Sequence, residues 1–145
     1  MNLITESNQG INPYKNSLKQ PRVLVVDDEP LICWSLRSAM MNKGFEVITA
    51  ASFKDGIREI YSRSFDVLIA DLKLDESDGF NVIISARDKN PSIKTILITA
   101  FGDENCRHKA NELYVDLFVE KPLVLSEMVN SVSFLIDKKT TTNPN

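Results

Sequence analysis

Three aspartates, a threonine and a lysine stand at the ends of apolar runs in this chain. Val23-Leu24-Val25-Val26 leads into Asp27-Asp28, Val67-Leu68-Ile69-Ala70 into Asp71, Ile96-Leu97-Ile98 into Thr99, and Phe118-Val119-Glu120 into Lys121-Pro122. Carboxylates gathered at one place repel one another and call for a hard divalent cation. A lysine beside them suits a phosphate oxygen. The turn after the first run narrows the chemistry. A nucleotide-binding fold would put glycines there, so that backbone amides could cradle phosphate, whereas this chain has Asp27-Asp28-Glu29-Pro30. An acidic turn repels a bare phosphate but can hold a metal, and the metal can hold phosphate. The three aspartates, one Mg²⁺ and Lys121 sum to zero formal charge, so an incoming phosphoryl dianion meets a neutral site. Mg²⁺, or Mn²⁺ in its place, fits because it tolerates few protein carboxylates and keeps waters plus a substrate oxygen.

Strands must bring these groups together. Unbroken apolar runs rich in β-branched residues are what a parallel strand buried on both faces requires. Open parallel sheets place their chemistry just beyond the carboxyl ends of the strands. The sequence predicts strands at 22–26, 45–49, 66–70, 94–98 and 115–119, each followed by a helix. The first helix starts near Pro30, presents Leu31, Ile32, Leu36, Ala39 and Met40 on one face, and ends at Gly44. Ser52 caps the second, which buries Phe53, Ile57 and Ile60. Asp78 begins the third, with Phe80, Ile83, Ile84 and Arg87, and Asn90-Pro91 breaks it. The fourth, near 103–112, has only Cys106, Ala110 and Leu113 to mark a face and is expected to be loosely held. The fifth, from Ser126, has the clearest period, through Leu125, Met128, Val129, Val132, Leu135 and Ile136. Right-handed crossovers then give an α/β fold: a doubly wound (βα)5, flavodoxin-like three-layer sandwich with a parallel five-stranded sheet of order 2-1-3-4-5. Its switch point falls between strands one and three, the strands that end in Asp27-Asp28 and Asp71.

Composition places these elements in one ordinary domain. The 145 residues are 43% hydrophobic and 26% charged, enough for a real core. A net charge of −3 gives no basic face for nucleic acid. No apolar stretch approaches a membrane span or a signal-peptide core, so a cytoplasmic location is expected by default. Cys33 and Cys106 are far apart and in no metal-ligand spacing; they read as two reduced, packed thiols. Residues 1–21 read as a mobile polar arm and 139–145 as a disordered tail or the start of a linker.

Val-Asp-Asp-Glu-Pro at 26–30, Asp-Leu-Lys-Leu-Asp-Glu-Ser-Asp-Gly at 71–79, Ile-Thr-Ala-Phe-Gly-Asp at 98–103 and Glu-Lys-Pro at 120–122 resemble the receiver domain of two-component response regulators. The spacings match as well: Asp71, Thr99 and Lys121 follow one another at 28 and 22 residues. The likeness covers residues 22–138, and Ile-Thr-Ala-Phe-Gly-Asp and Trp34 point toward receivers of the nitrogen-regulatory, sigma-54-activator type. This resemblance implies that Asp71 is the phospho-acceptor, taking a phosphoryl group from a sensor histidine kinase or phosphotransfer protein. It implies that Asp27, Asp28, Asp71 and the backbone carbonyl of Lys73 hold Mg²⁺, with Asp27 acting mainly through a water. Thr99 and Lys121 would contact the phosphoryl group, and small Ala100 would leave room for its access. Thr99 and Phe118 would be the switch pair, altering the face made by the fourth helix, fifth strand and fifth helix. That face would meet a downstream effector or a second copy of the chain. The implied protein is a signalling domain that catalyses only its own phosphotransfer and dephosphorylation.

Some positions depart from the family pattern. Asp75 stands where proline is usual, Tyr114-Val115 replaces a customary Gly-Ala, and Phe118 lacks the hydroxyl of tyrosine. Taken singly, the motifs have blander readings. A buried aspartate is more often a cap or an ion-pair partner, Thr99 could simply bond backbone, and Lys121-Pro122 is an ordinary strand exit in which a cis bond would aim the lysine inward. Phe118 could equally be plain core. Asp78-Gly79 reads as a helix cap, His108 as a surface residue, Trp34 as packing, and Lys138-Lys139 as a solvated helix end. One competing function is a phosphate-independent scaffold of the same fold. Another is a phosphatase with an aspartyl nucleophile, which would want a second acid two residues on, where Lys73 and Pro30 stand. Met1 and the short tail point to a single-domain regulator; as a fragment, the chain would belong to a larger DNA-binding transcriptional regulator.

Overall fold

The computed structural model describes residues 20–141, with side chains described to Lys138. The expected arm therefore lies outside the described residues except for Gln20 and Pro21, and so does the tail beyond the backbone of 139–141. Five strands and five helices alternate: β1 Arg22–Val26, α1 Pro30–Met41, β2 Glu46–Ala50, α2 Phe53–Ser62, β3 Val67–Asp71, α3 Gly79–Lys89, β4 Lys94–Thr99, α4 Glu104–Glu112, β5 Leu117–Glu120 and α5 Leu125–Thr141. The strands form one parallel sheet of order β2-β1-β3-β4-β5, the doubly wound topology expected.

Alternation along each strand builds two cores. Leu24, Val26, Leu68, Ala70 and Leu97 face one layer, with Ile60, Phe80, Ile83 and Ala86 of α2 and α3. Val23, Val25, Val67, Ile69, Ile96 and Ile98 face the other, with Leu36 and Met40 of α1 and Val129, Val132 and Leu135 of α5. Both faces of the central strands are thus covered, which is why their sequence shows no polar alternation.

Boundaries follow local chemistry. Pro30 opens α1, while Ser52, Asp78 and Asp103 accept hydrogen bonds from the backbone N–H of Asp55, Asn81 and Cys106 and cap α2, α3 and α4. Helix α1 stops at Met41, and the turn to β2 closes at Gly44, whose φ of +92° suits glycine alone. Asp71 and Thr99 are the last residues of β3 and β4 and do not lie beyond them.

Four packing expectations are corrected. The buried face of α1 is Cys33, Leu36 and Met40, which turns Trp34 and Leu31 outward at 66% and 71% exposure. In α3 the buried set is Phe80, Val82, Ile83 and Ala86, leaving Ile84 exposed, and Leu125 at the start of α5 is likewise exposed. Helix α4 is as weakly anchored as its sequence suggests, with Ala110 its buried residue.

Strand β5 begins at Leu117, two residues later than expected. Val115 N–H still donates to Ala110 of the preceding helix at 2.9 Å, and Tyr114 adopts φ of +55° to make the turn. A left-handed tyrosine is strained, and its side chain is 80% exposed, so little packing offsets the strain. Tyr114→Gly should raise stability by about 0.5–1 kcal/mol, the relief of strain less the extra entropy of glycine in the unfolded chain. Urea midpoints of the two proteins check this; a lower midpoint for the variant would contradict it.

Candidate functional site

Strand register assembles the site. Val26 pairs with Ala70, which sets Asp27 beside Asp71. Asp71 pairs with Ile98, and Thr99 with Glu120, which brings Thr99 and Lys121 to the same rim. The Lys121 N–H donates to the Thr99 carbonyl at 2.8 Å, and the Lys121–Pro122 peptide is cis. Ligand oxygens of Asp27, Asp28 and Asp71 lie within 4.8 Å of one another. Asp27 is wholly buried and Asp71 is 5% exposed, whereas Asp28 is exposed. Lys121 Nζ sits 3.3 Å from Asp27 Oδ2 and 3.5 Å from Asp71 Oδ2, and it also donates to Glu29 Oε1.

Burial dominates the electrostatics. It raises the proton affinity of Asp71, whose pKa is pushed up to about 6; the Asp27 charge adds to this, and Lys121 opposes it. Burial also raises Asp27, against the lowering effects of the Glu29 N–H, which donates to its Oδ1 at 2.8 Å, and of Lys121. For Lys121, burial alone would lower the pKa. The hydrogen bond to Glu29 and the charges of Asp27 and Asp71 outweigh it and hold the ammonium above its ordinary value.

The donor set fits a hard divalent cation. All the ligand atoms are carboxylate oxygens, and Asp27 Oδ2 is buried without a hydrogen-bond partner, its ion pair with Lys121 notwithstanding. The Lys73 backbone pairs with that of Asp78 in an isolated bridge that closes the loop after β3. Gly79 closes against the same strand end: a Cβ there would stand 2.5 Å from the Asp71 carbonyl oxygen. Thr99 is buried, and its hydroxyl bonds both the N–H and the carbonyl of Phe101 at 3.2 Å; Ala100 between them is exposed. Phe118 is half-buried under the Arg107 guanidinium, 4.9 Å from the ring centroid. Arg107 also pairs with Glu120 at 3.3 Å, and Glu120 accepts from the Gly102 N–H at 3.1 Å.

Sequence reasoning missed three of these partners. Glu29 was visible in the acidic turn, but nothing local reveals that it reaches Lys121. The Cys33 thiol donates to the Asp27 carbonyl at 3.2 Å, with burial pushing its pKa up to about 11, and so braces the acidic turn. The Arg107–Glu120 pair depends on how α4 lies against β5. His108 lies on the surface as expected, beside Glu112.

Linkage gives a direct check. The folded pKa of Asp71 lies above its ordinary value of 3.8, so the folded state binds the extra proton. That stabilisation is complete below about pH 3.8 and is lost as pH rises through about 6. In metal-free buffer the parent should lose stability over this window. Asp71→Asn should lose much less and be more stable than the parent at pH 7, by on the order of 2 kcal/mol. Equal stabilities and equal pH slopes in urea titrations would count against the buried-carboxylate reading.

Comparison with known proteins gives the family. The family model for the response regulator receiver domain matches residues 23–133. The transcriptional regulatory protein PrrA of Mycobacterium bovis is 30% identical over 122 residues, 84% of this chain and 52% of that protein. The transcriptional regulatory protein GlrR of Escherichia coli is 31% identical over 107 residues, 74% of this chain and 24% of that protein. The chain thus spans about half or less of the curated relatives it matches. A CheY-like receiver domain protein from Methanospirillum hungatei superposes with a TM-score of 0.82 at 22% identity, over 86% of this chain and 100% of the other. The likeness in fold and the match along the sequence lead to one conclusion: this chain belongs to the response regulator receiver domain family.

Proposed function

We propose that this chain is a phosphorylation-dependent switch in which Asp71 accepts a phosphoryl group from a phosphohistidine on a sensor kinase or phosphotransfer protein. The observation that carries this reading is the convergence of Asp27, Asp28, Asp71 and Lys121 on one rim of the sheet. A carboxylate oxygen of Asp71 attacks phosphorus; the N–P bond breaks and its electron pair stays on the departing imidazole nitrogen. Asp27, Asp28, Asp71 and the Lys73 carbonyl would hold Mg²⁺ or Mn²⁺, which supplies charge neutralisation for the phosphoryl oxygens. The Lys121 ammonium, already at the Asp71 carboxylate, stabilises the negative charge of the transferring group. Exposed Ala100 leaves the approach open.

Readout would begin at Thr99. Once a phosphoryl group sits on Asp71, the Thr99 hydroxyl exchanges its Phe101 partners for a phosphoryl oxygen, and Phe118 follows into the space released. Arg107 and Glu120 tie that movement to α4, which has a single buried residue, Ala110. The α4-β5-α5 face would then meet an effector or a second copy of the chain. A groove of about 270 Å³ lined by Asp116, Leu117, Asn130, Ser131, Phe134 and Leu135, with Phe134 largely exposed, supports this face as a contact surface. Among the described residues no helix is long and apolar enough to cross a membrane, and we place the switch in the cytoplasm. Both relatives named above are transcriptional regulatory proteins, which favours an output in transcription.

Incubation with Mg²⁺ and acetyl phosphate tests the acceptor. Intact mass should rise by one phosphoryl group, about 80 Da, in the parent and not in Asp71→Asn. Lys121→Ala should still bind Mg²⁺ but label at least about tenfold more slowly, as expected for loss of a transition-state charge contact. Labelling of Asp71→Asn, or parental rates in Lys121→Ala, would remove the assigned roles. Failure of the parent both to label and to bind beryllofluoride would favour the phosphate-independent scaffold.

A further inference from the structure

The Lys121 ammonium is shared among three carboxylates, and one of them, Glu29, lies outside the metal-binding cluster. Glu29 stands at the N-cap of α1 yet makes no side-chain cap hydrogen bond there. Its carboxylate accepts instead from Lys121, 92 positions along the chain. The Glu29 side chain is 58% exposed, against 0% for Asp27 and 7% for Asp71. Water can replace Lys121 at Glu29 at little cost, whereas unpairing either buried carboxylate is expensive. Charge points the same way. With Glu29 counted, the site holds four carboxylates and one lysine, and a divalent cation still leaves one negative charge where a phosphoryl dianion must approach.

Resting on the receiver reading above, we propose that Glu29 competes with the phosphoryl group for Lys121. It holds the ammonium before transfer and yields it to the phosphoryl oxygens on Asp71. In doing so it slows formation of the acyl phosphate and weakens retention of a phosphoryl mimic. Glu29 forms no bond to phosphorus and moves no proton; it is a positioning residue that acts through Lys121. Glu29→Gln keeps the length of the side chain and removes the charge.

The experiment compares Glu29→Gln with the parent at saturating Mg²⁺, using acetyl phosphate and beryllofluoride as probes. With acetyl phosphate, an Asp71 oxygen bonds to phosphorus, the bridging P–O bond breaks, and acetate leaves with the electron pair. Labelling of Glu29→Gln, read by intact mass, should be faster by on the order of 3- to 10-fold, with a matching drop in the beryllofluoride concentration that half-fills the site by ¹⁹F NMR. In a Lys121→Ala background the same substitution should change either quantity less than about twofold, a coupling that a merely structural role would not produce. A parent that labels while Glu29→Gln labels no faster overturns the competition and leaves the receiver reading standing. An equal acceleration in both backgrounds also overturns it, because repulsion alone would then suffice. A parent that does not label overturns both.

Discussion

Asp27 and Asp71 sit almost wholly out of water with one ammonium, Lys121, within 3.5 Å of an oxygen on each. Removing two carboxylates from water costs several kcal/mol per ion unless charge balances them, and one lysine balances one of them. The residue of this imbalance is visible in the raised proton affinities of both aspartates and in the buried Asp27 Oδ2, which has its ion pair with Lys121 but no hydrogen bond. The site is therefore held short of positive charge, and a divalent cation or a proton completes it. In the proposed transfer, Asp71 would already lie against the Lys121 ammonium when the phosphoryl group arrives.

Such an arrangement needs a stiff platform, and the sheet supplies one. Asp71 and Thr99 end their strands, Asp27, Asp28 and Lys121 follow theirs by one or two residues, and the strands on either side of β3 fix its register. Cores on both faces of the sheet leave β1, β3 and β4 fully packed. A repelling pair of carboxylates cannot push such strands apart without opening both layers. The edge of the sheet is different. Strand β5 is half-buried from Leu117 to Val119 and exposed at Glu120, and α4 touches the core mainly through Ala110. A small rearrangement at Thr99 can be absorbed there at low cost, through the Gly102, Phe118, Arg107 and Glu120 contacts.

Much of this was legible in the sequence, because the signals are short-range or topological. The apolar runs announce strands buried on both faces, and the caps at Ser52, Asp78 and Asp103 need only a few neighbouring residues. Strand order then brings Asp27, Asp71, Thr99 and Lys121 to one rim. Other features depend on rotation and reach that periodicity does not define. Trp34 reads as core by type, yet α1 is rolled so that Cys33, Leu36 and Met40 face inward. Tyr114 delays β5 because the helix before it ends with a left-handed residue. Glu29 reads as part of a metal-binding turn but spends its charge on a lysine from the opposite end of the domain.

Stability as a function of Mg²⁺ concentration, at constant ionic strength and pH 7, tests the charge shortfall most directly. If the buried carboxylates lack a cation, unfolding free energy should rise with Mg²⁺ as ligand linkage requires, by RT ln(1 + [Mg²⁺]/Kd). The rise should be largely lost in Asp28→Asn, where an exposed ligand to the cluster is removed without unpairing a buried group. A parent whose stability is indifferent to Mg²⁺, or a rise that survives unchanged in Asp28→Asn, would contradict the account.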